Sequence, residues 1–292
     1  MSFDAISRIR RFNRAVTRET GALDQSFLGR GRPLGPARVL NALGAGHSDL
    51  EDLRRYLGLD KTVLSRYLAG LQKDGLLDLV PAPTDGRRRR AQLTETGAQE
   101  YAAYEALSNT RAQSLLDQHP RPDALLAAMD LIASALGRDE VQIVPNDPTD
   151  ARAITCLEAY YAELATRLDQ GFDVSLSADP EANDMRPPRG TFLLALSDGL
   201  PLGCVGLKGT DKGYGEIKRL WISPAARGMG LARRLMAEIE AAARDLGIDL
   251  LRLDTNSALP EAVALYQNSG WTEIERFNDD PYPDYFFEKA VT

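Results

Sequence analysis

Residues Glu216–Glu240, EIKRLWISPAARGMGLARRLMAEIE, decide how this chain is read. Ile217, Leu220 and Ile222 predict a buried strand, and Ser223-Pro224 breaks it. Arg227-Gly228-Met229-Gly230-Leu231-Ala232 then opens an amphipathic helix, because Leu231, Leu235, Met236 and Ile239 recur at helical spacing. Two glycines at a helix start let unpaired backbone N–H groups converge on an anion. The positive end of the helix dipole adds about 0.3–1 kcal/mol in favour of negative charge there. The segment therefore predicts a phosphate-binding turn. It is not the dinucleotide fingerprint GxGxxG, which has no leading Arg and is followed by an acidic residue about 20 positions on.

Downstream runs LRLDTNSALPEAVALYQNSGWTEIERF, residues 251–277. Leu251 and Leu253 alternate as in a strand, Pro260 suits a first helical turn, and Gly270 stops the helix before Trp271. The R-x-x-G-x-A turn and the LYQNSGW stretch together resemble the GNAT N-acetyltransferases. That resemblance implies acetyl-CoA as cosubstrate. Its diphosphate would rest on Arg227, Gly228, Met229, Gly230, Leu231, Ala232 and Arg233, with pantetheine pairing to the backbone of Leu220, Trp221 and Ile222 where their strand splays from its neighbour. It also implies that Tyr266 protonates the departing thiolate; the alternative is a Tyr that only packs in the core. Many relatives place an Asn seven residues before this Tyr. Here that position is Leu259, and whether Asn256 takes over its coenzyme contact is left open.

Acetyl transfer to an amine sets a further demand. An alkylamine with a Lys-like pKa is only roughly 0.1% neutral at pH 7, and removing its proton costs roughly 4 kcal/mol. Glu216 lies eleven residues before Arg227, a spacing that resembles the one between the general-base Glu and the same turn in histone-acetylating GNATs. Glu216 is accordingly the expected base. The competing reading is a structural Glu neutralised by Lys218 or Arg219.

At 292 residues the chain is long enough for two domains, and 43% hydrophobic with 26% charged residues makes it globular. It has no apolar run of membrane-spanning length, and MSFDAISRIRRFNRAV has no signal-peptide core, so a cytoplasmic protein is expected. Cys156 and Cys204 form neither a disulfide framework nor metal-ligand spacing, and His47 and His119 are isolated, so no metal is expected. The net charge of −7 is uneven: residues 1–140 hold 20 basic and 18 acidic side chains, residues 141–292 hold 15 and 24. The division is expected near Arg138–Val144, giving domains 1–140 and 141–292.

In the first of these, helical patterns cover Pro36–Leu43, Ser48–Leu57 and Asp60–Lys73, with Ser48 and Asp60 placed as N-caps and Gly58 and Gly75 as stops. A short Gly turn between two helices is the spacing of a helix-turn-helix. Lys61, Thr62, Ser65 and Arg66 form the polar start of its second helix, which would enter a major groove. A hairpin follows, with Arg87, Arg88, Arg89 and Arg90 at or after its tip, where four adjacent cations suit phosphates or a minor groove. LGLDKTVLSRYLAGLQKDGLL, the PTDGRRR wing and LTETG resemble the MarR family of winged-helix regulators. The resemblance implies double-stranded DNA as partner and a homodimer built on the first helix and on helices Thr96–Gln118 and Asp123–Leu136.

The expected architecture is a mainly α winged helix-turn-helix followed by an α/β GNAT fold with a mixed, mostly antiparallel sheet. PPRGTFLLA and FNDDPYPDYFFEK resemble GNATs acting on small molecules or amino acids, with Tyr160, Arg189, Arg219 and Tyr282 as candidate acceptor-pocket residues. The expected function is thus a DNA-binding regulator that also acetylates a small amine. The alternative is a regulator whose GNAT half senses acetyl-CoA or a metabolite without turnover.

Overall fold

The computed structural model describes residues 4–82, 89–176 and 183–291. The chain forms two compact units, Met1–Pro122 and Asp123–Thr292. The first unit contains α1 (Ala5–Glu19), α2 (Leu34–Gly44), α3 (Leu50–Leu57), α4 (Lys61–Lys73), the strands β1 (Leu77–Pro81) and β2 (Arg89–Leu93), and α5 (Glu95–Gln118). Leu53, Leu57, Leu64, Leu68 and Leu71 bury one side of α3 and α4 against Val39 and Leu40 of α2. Each fully buried Leu contributes about 1.5–3 kcal/mol. α3 ends at Gly58, whose φ of 63° is the left-handed conformation that glycine adopts without strain. The cap of α3 is Asp49 rather than Ser48: the Asp49 carboxylate accepts from the amides of Glu51 and Asp52, while the Ser48 carbonyl accepts from Ala91. Asp60 caps α4 as expected, accepting from Val63 N at 2.9 Å. Under the antiparallel β1–β2 hairpin, Gly97 of α5 lies so close to Leu76 that a Cβ would stand 1.8 Å from its carbonyl oxygen.

α1 has no buried residue, and Ile6, Ile9, Phe12 and Val16 are exposed along it. The tip of the hairpin, including Arg87 and Arg88, lies outside the described residues.

The second unit begins with α6 (Pro122–Leu136), followed by β3 (Gln142–Asn146), α7 (Ala151–Arg167), β4 (Thr191–Ser197), β5 (Leu200–Gly209), β6 (Gly215–Ile222), α8 (Leu231–Asp245), β7 (Leu250–Thr255), α9 (Pro260–Gln267), β8 (Thr272–Glu273) and β9 (Tyr285–Ala290). Seven strands form one sheet in the order β3-β4-β5-β6-β7-β9-β8, antiparallel except for β6 with β7. Alternation along the strands sorts the two faces. Val205, Leu207, Ile217, Leu251 and Leu253 pack with Leu235, Met236 and Ile239 of α8. Phe192, Leu194 and Cys204 pack instead with Ala153, Cys156 and Leu157 of α7.

Two irregularities open this sheet. The parallel strands pair only from Gly215 with Leu251 to Ile217 with Leu253, so β6 beyond Ile217 is unpaired on its β7 side. On its other side, the register with β5 shifts between Cys204 and Gly206, and Arg219 takes a φ of 59°. A bulge of this kind bends the strand and re-aims its side chains.

Candidate functional site

A cavity of about 120 Å³ lies where β6 and β7 part. Lys218, Arg219 and Leu220 line it from β6, Asp254, Thr255 and Asn256 from the end of β7, Tyr160 and Tyr161 from α7, and Tyr266 from α9. Phe172 stacks on Tyr161 and meets Tyr282 at a tilt, with ring centroids 5.6 and 4.8 Å apart. The Tyr282 hydroxyl accepts from Asp173 N at 2.8 Å and donates to Asp173 O at 3.2 Å, which fastens this aromatic wall.

Tyr266 is 5% exposed, packed edge-on to Trp271, and its hydroxyl has no hydrogen-bond partner among the described residues. Burial pushes its pKa up, and the charge of Asp254 pushes it further. Tyr160 is raised in the same way, by burial first and then by Tyr266 and Asp254. Both phenols therefore stay protonated at neutral pH. Asp254 is held on one side only. Lys218 Nζ and Asn278 Nδ2 each donate to Asp254 Oδ2 at 2.6 Å, and Oδ1 takes no hydrogen bond from the described residues.

The expected base stands elsewhere. Glu216 is buried, its Oε2 is 3.4 Å from Lys218 Nζ, and it lines a second, more open cavity with Lys208, Lys212 and Asp280. Lys218 separates it from the cavity that Tyr266 lines. Asp254 was missed in the sequence although a signal existed: with Leu251 and Leu253 facing α8, alternation turns Asp254 to the opposite face, twelve residues before Tyr266.

The glycine turn leaves its amides open. Gly228 and Gly230 have φ of 76° and 79°, Gly230 begins α8 with no side-chain cap, and the first bond into the helix runs from Arg234 N to Gly230 O. The amides of residues 228–233 meet no acceptor among the described residues, and no Cβ space is filled at either glycine. An uncapped helix start beside an unpaired strand fits a diphosphate followed by an extended amide-bearing chain. The Arg227 side chain does not stand free for that anion. Its Nε donates to Ile222 O at 3.0 Å, and its guanidinium pairs with Glu163 of α7. Glu163 also accepts from Trp221 Nε1 at 3.0 Å. Burial raises the Glu163 carboxyl, but hydrogen bonds from Arg227 and Trp221 outweigh that and hold it below its usual value.

Two further candidates are placed differently from the sequence expectation. Arg189 lies outside the cavity, paired with Asp184 at 3.0 Å and Asp211 at 3.1 Å. Asn256 lines the cavity, yet its amide nitrogen donates to Tyr282 O and its oxygen accepts from Ala258 N, so it braces the aromatic wall. Leu259 lines the cavity at the start of α9. Arg219 lies over the Tyr161 ring at 5.8 Å.

In the first unit, Lys61, Thr62, Ser65 and Arg66 are exposed on one side of α4, opposite the buried Leu64, Leu68 and Leu71. Arg89 is exposed and Arg90 half-buried on β2. No described helix is long and apolar enough to cross a membrane.

The model of the "Acetyltransferase (GNAT) family" matches residues 157–271, and that of the "MarR family" matches residues 31–88. An "IAA acetyltransferase" of Azospirillum brasilense is 39% identical over 105 residues, 34% of this chain and 67% of the relative. An uncharacterized N-acetyltransferase of Schizosaccharomyces pombe is 36% identical over 114 residues, 37% of this chain and 70% of the relative. Among solved structures, a putative acyl-CoA N-acyltransferase of Klebsiella pneumoniae is 30% identical and covers 52% of this chain and 98% of its own, with a TM-score of 0.43.

Proposed function

The chain belongs to the GNAT acetyltransferase family through its second half and carries a MarR-family region in its first, and on that premise we propose that it acetylates the amine of a small molecule or amino acid with acetyl-CoA while its first half binds double-stranded DNA. One observation carries the catalytic reading: Asp254, whose Oδ1 takes no hydrogen bond from the described residues, and Tyr266 line one cavity at the parting of β6 and β7.

The open amides of residues 228–233 would hold the diphosphate, and the unpaired backbone of Leu220–Ile222 the pantetheine. Acetyl-CoA supplies the thioester carbon at which the C–N bond forms and the C–S bond breaks. Asp254 Oδ1 takes one proton from the acceptor ammonium and frees its lone pair. Tyr266 gives its phenolic proton to the leaving sulfur and recovers one from the nitrogen, which sheds a second N–H proton to end as a neutral amide. Tyr161, Phe172 and Tyr282 offer the acceptor an apolar wall, and Arg219 a cation for a carboxylate. Glu216 remains a secondary carboxylate, lining a different cavity and paired with Lys218.

For DNA, the exposed Lys61, Thr62, Ser65 and Arg66 would read the major groove, and Arg87, Arg88, Arg89 and Arg90 would meet phosphates. The exposed Ile6, Ile9, Phe12 and Val16 of α1 support homodimerisation through that helix.

CoA-thiol release by the full chain with the twenty amino acids and a set of alkyl- and arylalkylamines tests the enzyme. At least one acceptor should turn over, with the rate cut in Tyr266→Phe and Asp254→Asn. Tight acetyl-CoA binding with no turnover on any amine would replace this reading by the sensor.

A further inference from the structure

We propose that Lys218 is a positioning residue for acetyl transfer: its ammonium pins one oxygen of Asp254 and stands between that carboxylate and Glu216, so that Asp254 rather than Glu216 meets the acceptor amine. The inference rests on the assignment of Asp254 as proton acceptor.

The geometry is particular to one buried cluster. Lys218 Nζ is 2.6 Å from Asp254 Oδ2 and 3.4 Å from Glu216 Oε2, and the three side chains are 13%, 11% and 7% exposed. Asn278 Nδ2 donates to the same Asp254 oxygen, also at 2.6 Å. Two donors on one oxygen fix the carboxylate plane and leave Oδ1 as its accepting atom, which is how a base is held within reach of one proton. Two carboxylates in a poorly solvated site repel each other, and the ammonium paired with both offsets that repulsion. A single ammonium thus bridges the two carboxylates, and of the two it is Asp254 that lines the cavity with Tyr266.

Of its two carboxylate partners among the described residues, Lys218 stands closer to Asp254 than to Glu216. Burial lowers the affinity of its amine for the proton, but Asp254 and Glu216 outweigh that and raise its pKa, so it stays an ammonium and is no nucleophile. Other charged groups near the cluster are Asp280 of the loop before β9, and Arg219 beside it on β6. Lys208 and Arg252 stand opposite Glu216 on the neighbouring strands. Arg252 is committed to Glu288, at 2.9 Å. Among these cations, Lys218 is the one that bonds Asp254.

The test uses the full chain with acetyl-CoA and two probe acceptors. 2-Phenylethylamine is protonated at neutral pH and needs a base; hydroxylamine is already unprotonated. Lys218→Met should lower kcat for 2-phenylethylamine by about 10-fold or more, inside the 10²–10⁴-fold range of a positioned base, and leave KM for acetyl-CoA within about twofold. The hydroxylamine rate should change far less. Lys218→Arg should recover part of the loss. In Asp254→Asn, adding Lys218→Met should cost no more than about twofold further, because both changes remove one function. Full additivity of the two substitutions, or equal losses with both amines, would overturn the proposal. The ¹⁵N resonance of the Lys218 ammonium gives an acceptor-free readout. It should be protected from exchange in the wild type and lost in Asp254→Asn, and persistence there would also overturn it. Unimpaired 2-phenylethylamine turnover in Asp254→Asn would instead remove Asp254 as base, whatever Lys218 does.

Discussion

Two helix starts in this molecule carry opposite solutions to the same problem. α4 and α8 both begin with amide N–H groups that the helix itself does not satisfy. At α4, the Asp60 carboxylate closes the end by accepting from Val63 N, and the exposed Lys61, Thr62, Ser65 and Arg66 project from the first turns. At α8, a glycine in a left-handed conformation stands at the cap, and no side chain comes back to the amides. The closed end presents side chains; the open end presents backbone. A groove of varied bases demands the first, because sequence is read by side chains. A diphosphate, the same in every turnover, is served by the second.

Four variants would break or sharpen that contrast. Asp254→Asn touches neither helix start, so it should lower kcat by about 10²–10⁴-fold while calorimetry finds acetyl-CoA affinity within about twofold of wild type. A matching loss of affinity would tie Asp254 to coenzyme binding instead. Gly230→Asp supplies α8 with the kind of group that closes α4. A carboxylate there should compete for the amides and repel phosphate, weakening acetyl-CoA binding by roughly 10–100-fold. Unchanged affinity would mean that the turn holds no anion. In the first half, Arg89→Ala with Arg90→Ala should flatten the salt dependence of DNA binding by about 1.8 in log–log slope, since each lost phosphate contact removes about 0.9. An unaltered slope would take the wing out of the interface. The smallest effect belongs to Asp60→Ala, which removes a cap worth about 1 kcal/mol. Thermal unfolding should place that loss in the first half, with acetyl-CoA affinity untouched.

Much of the fold was legible because its signals are local. Asp60 and Gly58 bracket the helix-turn-helix, and the glycine turn announces α8. LYQNSGW puts Tyr266 on the helix before Gly270 and Trp271, and that helix brings it to the cavity at the parting of β6 and β7. Ser48 misled by one residue because Asp49 beside it is also a capping type and has the better reach to two amides. The hidden part of the site consists of partners far apart in the chain. Lys218 and Asp254 are separated by 36 positions, and Arg227 and Glu163 by 64. Arg189, offered by the sequence as a carboxylate clamp, has its charge spent on Asp184 and Asp211.

The sequence by itself determined the elements, their order and the glycine turn that starts α8 without a side-chain cap, since hydrophobic period, glycine and capping residues act within a few positions of one another. Tertiary structure alone decided which carboxylate lines the cavity at the parting of β6 and β7. Glu216 and Asp254 are both acidic and lie on the adjacent parallel strands β6 and β7, Glu216 within their paired stretch and Asp254 just beyond it. The side on which Lys218 stands, and the oxygen of Asp254 that it and Asn278 leave free, are set by packing across the sheet, which no local pattern encodes.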